Sequence, residues 1–291
     1  SIFPGAKQLK NSINRLEVDL LPIVNTTRFL NGRPYGWADY GMIPNPGLQT
    51  YLSGGVQVKY RFINFTFRPE FVLSQNLGYE TNLSQMSQSE IQGKFISWNY
   101  GDIPERFGEG WVFNPWWGQS KLTFQYGAFE LGAATENIWW GPGQFNALTF
   151  SNNAQGFPHL TLNTTKPAKT FLGNIEAQLI MGRLENSGLA PSQDQELNDR
   201  YFEPFTGDWR YLNAITFTYN PKWIKGFFFG FSRTFQQYNA QRGNSFYDWL
   251  PVFEGFQKKN FFDSGNSVDF DSNGRDQTIT LFGRLVIPKT K

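Results

Sequence analysis

Apolar and polar residues alternate with a period of two in segment after segment of this chain, and that pattern constrains its fold more than any other feature. In residues 15–24, Leu16, Val18 and Leu20 share one face while Glu17 and Asp19 share the other. Residues 52–62 set Val56, Val58, Tyr60 and Phe62 against Gln57, Lys59 and Arg61, and 63–67 set Ile63, Phe65 and Phe67 against Asn64 and Thr66. The pattern returns at Leu122-Phe124-Tyr126 and at Ile175-Ala177-Leu179-Met181. It continues at Ile215-Phe217-Tyr219, Phe227-Phe229-Phe231, Ile279-Leu281 and Leu285-Ile287. Successive side chains of an extended chain point to opposite sides, so this alternation predicts strands with one apolar and one polar face.

These segments run to roughly ten residues between Gly, Asn, Pro and Ser clusters, the length of a strand tilted across a bilayer and long for a soluble sandwich. Rings gather near the expected strand ends: Trp37 with Tyr40, Trp98 with Tyr100, Trp116 with Trp117, Tyr211, Trp223, and Tyr247 with Trp249. That placement fits interfacial girdles. The expectation is an all-β fold: one large antiparallel transmembrane (outer-membrane) β-barrel over residues 1–291, with about 9 to 11 strands. A soluble jelly roll or sandwich with an aromatic core is the competing architecture. No stretch of about 18 apolar residues occurs, so no transmembrane helix is expected. The mean hydropathy of −0.45 says little about a barrel, whose lumen residues are polar. The chain begins at Ser1 and reads as a mature or truncated piece, incomplete at both ends. Helical signals are few: residues 83–91 form a short helix or a loop, and 187–201 an exposed excursion with one helical turn. With 255–276, these are candidate polar loops on the surface or folded into the lumen.

The charge balance, near +2, lacks the concentrated Lys and Arg of a nucleic-acid surface, so no nucleic-acid partner is expected. Without cysteine there are no disulfides and no thiolate metal sites. His159 is the single histidine, too isolated for a His-based metal centre, and no nucleophile elbow accompanies it. It reads as a hydrogen-bonded residue in a turn entering a strand. Asp269-Phe270-Asp271-Ser272-Asn273-Gly274 matches half of a calcium loop, but Thr280 stands where the bidentate Glu belongs. Gly141-Pro142-Gly143 lacks the residues of a phosphate loop. No metal and no cofactor are expected. Glu109, Glu130, Glu136, Asp208 and Asp248 lie near Trp or Phe, a neighbourhood that suits a lectin, a glycoside hydrolase, or a girdle alone.

The most distinctive stretch is Glu136-Asn137-Ile138-Trp139-Trp140-Gly141-Pro142-Gly143-Gln144-Phe145-Asn146, followed by Ser151-Asn152-Asn153-Ala154-Gln155-Gly156-Phe157-Pro158-His159-Leu160. It reads as a strand end with two large rings, a tight turn and an amide-rich bend. With Gly101-Asp102-Ile103-Pro104-Glu105-Arg106-Phe107-Gly108 and Gly118-Gln119-Ser120 before it, and Lys166-Pro167, Gln178-Leu179-Ile180 and Gly182-Arg183-Leu184-Glu185 after it, it resembles the capsule assembly Wzi family in its Bacteroidetes-type branch. The resemblance is continuous over about residues 95–190. It implies a Gram-negative outer-membrane barrel, longer than this chain, that is not an enzyme and that binds or anchors extracellular polysaccharide at the cell surface. The partners so implied are that polysaccharide and outer-membrane lipid or lipopolysaccharide, with another outer-membrane protein complex as a further candidate. Trp139, Trp140, Asn152, Asn153 and Glu136 are the candidate ligand-binding residues. Gly141, Pro142, Gly143, Pro158 and Arg106 are candidate structural residues of the motif. The same motif could instead brace a turn or a lumen constriction. A porin-like or transporter-associated barrel, wet by Lys59, Arg61, Glu176 and Arg183 and plugged by the Gly-Pro-Gly turn, is the second reading, and a carbohydrate-active hydrolase the third.

Overall fold

Alternating segments fold as strands, and each strand lies beside its neighbour in sequence. The computed structural model describes residues 9–11, 16–34, 39–145, 147–205, 207–255 and 275–287. They form a 14-stranded sheet: β1 (Leu9–Asn11), β2 (Leu16–Leu30), β3 (Gly47–Tyr60), β4 (Ile63–Phe67), β5 (Glu70–Ser74), β6 (Val112–Trp116), β7 (Lys121–Tyr126), β8 (Phe129–Ala134), β9 (His159–Thr164), β10 (Ala168–Lys169), β11 (Gly173–Leu184), β12 (Arg210–Pro221), β13 (Phe227–Tyr238) and β14 (Asp276–Leu285). Every strand pairing is antiparallel. β3 is long enough to pair both β4 and β5, which are two halves of one wall strand interrupted at Pro69. β6 and β7 continue each other in the same way around Gly118, whose φ of +59 and close approach to the Arg68 carbonyl leave no room for a side chain. The sheet is a barrel-type meander, open between its edge strands β1 and β14 among the described residues.

The two ends of the sheet differ. At one end the connections are tight: Arg61-Phe62, Gly127-Ala128, residues 165–172 and residues 222–226. At the other they are long: 31–46, 75–111, 135–158, 185–209 and 239–275. Outer-membrane barrels show this asymmetry, with short turns on the periplasmic side.

Register sorts the residues into two faces. Thr123, Gly132, Thr161, Ile180, Ala214, Thr234 and Thr278 are cross-strand partners along one row on the inner face. The next row, Phe124, Leu131, Leu162, Leu179, Ile215, Arg233 and Ile279, lies on the outer face. Thr123 and Thr161 are buried, whereas Leu131 is 56% and Phe124 50% exposed. Exposing a Leu or Phe to water forgoes about 1.5–3 kcal/mol, and soluble monomers seldom carry a contiguous apolar band of this kind. The outer face therefore requires an apolar neighbour. Among the described residues no helix is long and apolar enough to cross a membrane.

Several sequence expectations need correcting. Trp98 and Tyr100 do not end a strand: Trp98 lies in helix α1 (Gln88–Asn99) and Tyr100 caps it. Ser87 and Glu90 form a capping box at its N-terminus, and Phe95, Trp98 and Leu83 make a small core with Leu197, Tyr201 and Phe202. Helix α2 (Gln195–Tyr201) is the helical turn expected in 187–201. β2 runs on past Val24 to Leu30, because a bulge between Leu21 and Val24 resets its phase at Pro22. Arg183 shares the outer face with Met181 and Tyr211, so it does not wet the lumen, and Arg61 occupies a tight turn at φ +54. The 239–255 segment folds outward. Helix α3 (Phe246–Trp249) and the following turn Pro251–Phe253 lie on the outer wall, where Asn213 Oδ1 accepts from Val252 N–H (3.2 Å) and Arg233 donates to Val252 O (3.1 Å). Trp37, Asn146 and the half calcium loop 269–274 lie outside the described residues.

Candidate functional site

The long connection 135–158 turns inward and fills the lumen at the loop end. Its root is fixed by backbone pairing, with Thr135 N–H donating to Ser120 O (2.9 Å) and Thr135 Oγ1 donating to Gly118 O (2.8 Å). Gln119 then holds Asn137 twice. Asn137 N–H donates to Gln119 Oε1 (2.9 Å), and Gln119 Nε2 donates to Asn137 Oδ1 (2.7 Å) and to Glu70 Oε1 (2.8 Å). Asn137 closes the hairpin on itself by donating to Ala154 O (2.7 Å). Lys121 Nζ lies 3.1 Å from Glu136 and 3.7 Å from Glu130, tying the plug to the wall.

Beyond this root the plug is apolar. Ile138 and Trp140 bury against Ile180, Leu212 and Ala214, with Phe150, Phe157 and Leu184 packed around them. The Trp140 ring meets Phe150 edge-on at 4.9 Å, and its Nε1 donates to Gln178 Oε1 (2.8 Å). Gly182 admits the Phe157 ring: a Cβ there would lie 2.7 Å from it. His159, at the start of β9, is buried, and its Nδ1 is 2.8 Å from Phe157 O, as expected of a turn histidine.

A cavity of about 430 Å³ remains between the plug and the wall. Trp139, Trp140, Phe228 and Phe282 give it ring surfaces, and Asn163, Glu176, Gln178 and Arg284 give it amides and charges. Its residues lie on the tight-turn side of the Trp140–Gln178 contact, in the Gln178–Thr216 and Glu176–Thr218 rows. Flat rings stack on the C–H faces of sugars while amides and carboxylates bind hydroxyls, and the size falls within the range of small-ligand sites.

The expected site residues separate in space. Trp139, 40% exposed with its Nε1 donating to Gly143 O (2.9 Å), and Trp140, 4% exposed, line this cavity together with Gly141 and Pro142. Glu136 is engaged by Lys121 at the root. Asn152 accepts through its carbonyl from Tyr40 N–H (2.8 Å), and Asn153 N–H donates to Ser151 Oγ (3.1 Å), so both shape the bend away from the cavity. Pro158 O accepts from Arg183 N–H (3.0 Å). Arg106 grips Asn76 O through Nε (3.0 Å) and Nη2 (2.7 Å), fixing Asn76 at φ +49 in another long loop. Gln119, Gln178, Glu70 and Lys121 are the residues that sequence reading did not single out as site residues. Gln119 and Gln178 stand inside quoted blocks, but nothing in a linear sequence marks an amide as a plug anchor. Of the candidate carboxylates, Glu130 and Glu136 converge on Lys121, Asp208 accepts from Ala240 N–H (3.0 Å), and Asp248 caps α3.

A family model described as capsule assembly protein Wzi matches residues 117–277, from the kink at Gly118 through the plug and into β14. The chain belongs to the Wzi family. In this Wzi chain the matched region holds both halves of the plug and the wall strands β7 to β13. No curated protein and no solved structure matches the chain.

Proposed function

We propose that this Wzi chain is part of an outer-membrane barrel that binds and anchors surface polysaccharide without cleaving it. The observation that carries this reading is the inward plug, whose Trp139 and Trp140 rings share one luminal cavity with Asn163, Glu176, Gln178 and Arg284. Family membership and the apolar outer face support the outer membrane as its place, with lipid, including lipopolysaccharide, against that face. The tight turns then face the periplasm and the long loops the exterior. Each sugar contact is weak, and a repeating polymer multiplies such contacts by avidity.

The test is binding of purified surface polysaccharide to the detergent-folded chain. Wild type binds and releases no new reducing ends. Trp139→Ala, at a half-open position, keeps the fold and weakens binding roughly tenfold, the scale of one lost ring contact. Absence of binding, undiminished binding by Trp139→Ala, or release of reducing ends contradicts the proposal.

A further inference from the structure

A second luminal cavity, about 230 Å³, lies beside the plug between β2, β3 and the segment around Tyr40. The Tyr40 and Tyr51 rings stack there with centroids 5.8 Å apart. Tyr40 sits at φ +54, a left-handed conformation that costs a ringed residue free energy and persists only where the surroundings over-determine it. Those surroundings are visible: Tyr40 N–H donates to Asn152 O of the plug, and Met42 N–H closes a turn on Asp39 O (3.0 Å). The plug thus presents the Tyr40 ring to the cavity. Such strain gathers at ligand clamps.

The charges around this cavity are unevenly matched. Arg28 is ion-paired with Asp39. Glu70 is wholly buried and accepts from Gln119; it acts on Tyr51 from outside the cavity lining. Arg68 does line it, forms no ion pair among the described residues, and keeps its Nε buried without a hydrogen-bond partner. A guanidinium matches a carboxylate in a two-bond fork.

We propose that this cavity is a subsite for one acidic sugar residue of the uronic acid class, its ring face on the tyrosine stack and its carboxylate on Arg68. Gln119, at the plug edge, has both N–H donors committed to Asn137 and Glu70 and keeps one Oε1 lone pair to accept from a sugar hydroxyl. The volume is below the roughly 300–1,000 Å³ of drug-sized sites and fits a single sugar ring, not an oligomer. This rests on the polysaccharide reading above and narrows it to an anionic glycan.

The experiment measures affinities of the detergent-folded chain for trigalacturonate and for its carboxyl-reduced neutral counterpart. Wild type prefers the acidic trimer by at least about tenfold at low salt, the worth of one charged hydrogen-bonded pair. Arg68→Gln abolishes that preference. Tyr40→Gly, which suits the left-handed backbone and so keeps the fold, weakens the acidic trimer about tenfold. Equal wild-type affinity for the two trimers, or an intact preference in Arg68→Gln, overturns the subsite. If the neutral trimer still binds and Trp139→Ala still weakens it, the polysaccharide reading survives that outcome. If neither trimer binds, the subsite falls, and binding of the native polymer then decides the broader reading.

Discussion

Gln119 shows how much of this lumen rests on single amides. One side chain accepts from Asn137 N–H and donates to Asn137 Oδ1 and Glu70 Oε1, and Glu70 is wholly buried. Gln119→Leu keeps the volume but strands a backbone N–H and a carboxylate. The expected loss is about 2–6 kcal/mol, since each of the two buried groups left unpaired costs about 1–3 kcal/mol. Urea unfolding of the detergent-folded protein measures it, and a loss below about 0.5 kcal/mol, the level of an ordinary surface substitution, contradicts the anchoring role. At this scale the sequence is partly legible. Two adjacent tryptophans before Gly-Pro-Gly mark an unusual place, but adjacent residues on a bent backbone point to different environments. Trp140 is a core residue with a hydrogen-bonded Nε1, whereas Trp139 is half open. Asn152 and Asn153 draw attention as side chains, yet the contact that matters for Asn152 is its backbone carbonyl on Tyr40. No residue-type reading finds a main-chain role of that kind.

Among the elements, the strands are readable and the helices only in part: α2 falls in the expected 187–201 excursion. Alternation survives in β3, β4, β7, β11, β12 and β13 because each has one apolar and one polar side. α1 is anticipated only at its start, within 83–91; its run to Asn99 is hidden because Gly93 interrupts it and its apolar residues, Phe95 and Trp98 among them, serve a small local core shared with α2. The outward loop is equally hidden. Asn213 and Arg233 are polar intrusions on an apolar face, and only the fold shows that they hold the turn Pro251–Phe253. The start of α1 is sensitive to acid. The Ser87 hydroxyl and backbone N–H hold the Glu90 carboxyl below its usual 4.5. A depressed carboxyl stabilises the fold above its unfolded value and loses that contribution as pH falls through its folded value. The same holds for Asp248 on Ser245 at the start of α3, below its usual 3.8. Backbone amide exchange at Ser87 and Ser245, corrected for intrinsic rates, is therefore expected to keep its protection down to the usual 4.5 of Glu90 and 3.8 of Asp248 and to lose it as pH falls below them. Unchanged protection contradicts the capping boxes.

At the scale of the whole molecule, the meander, the apolar outside and the polar inside follow from the period-two pattern, and the unequal ends follow from where the turn residues fall. The direction in which each long connection folds does not follow. Segment 135–158 goes inward because its apolar face, Ile138, Trp140, Phe150 and Phe157, meets an apolar patch at Ile180, Leu212 and Ala214 on the inner wall. Segment 239–255 goes outward because polar groups wait for it on the outer wall. Both choices depend on which strands become neighbours, a long-range property that no local window carries.

In the proposed barrel one face of this sheet meets lipid while the other encloses a plugged interior, and adjacent residues of β9 sample both. The chain has no cysteine, so single-site spin labels can be placed without competition. Leu162 is 44% exposed on the outer face, and Asn163 on the inner face donates to Glu130 Oε1 (2.9 Å). In liposomes, a label at Leu162→Cys is expected to be relaxed strongly by oxygen, which partitions into lipid, and weakly by a water-soluble nickel chelate. A label at Asn163→Cys is expected to show little collision with oxygen. Strong nickel relaxation at Leu162→Cys, in protein that stays soluble without lipid or detergent, would contradict the membrane-facing barrel.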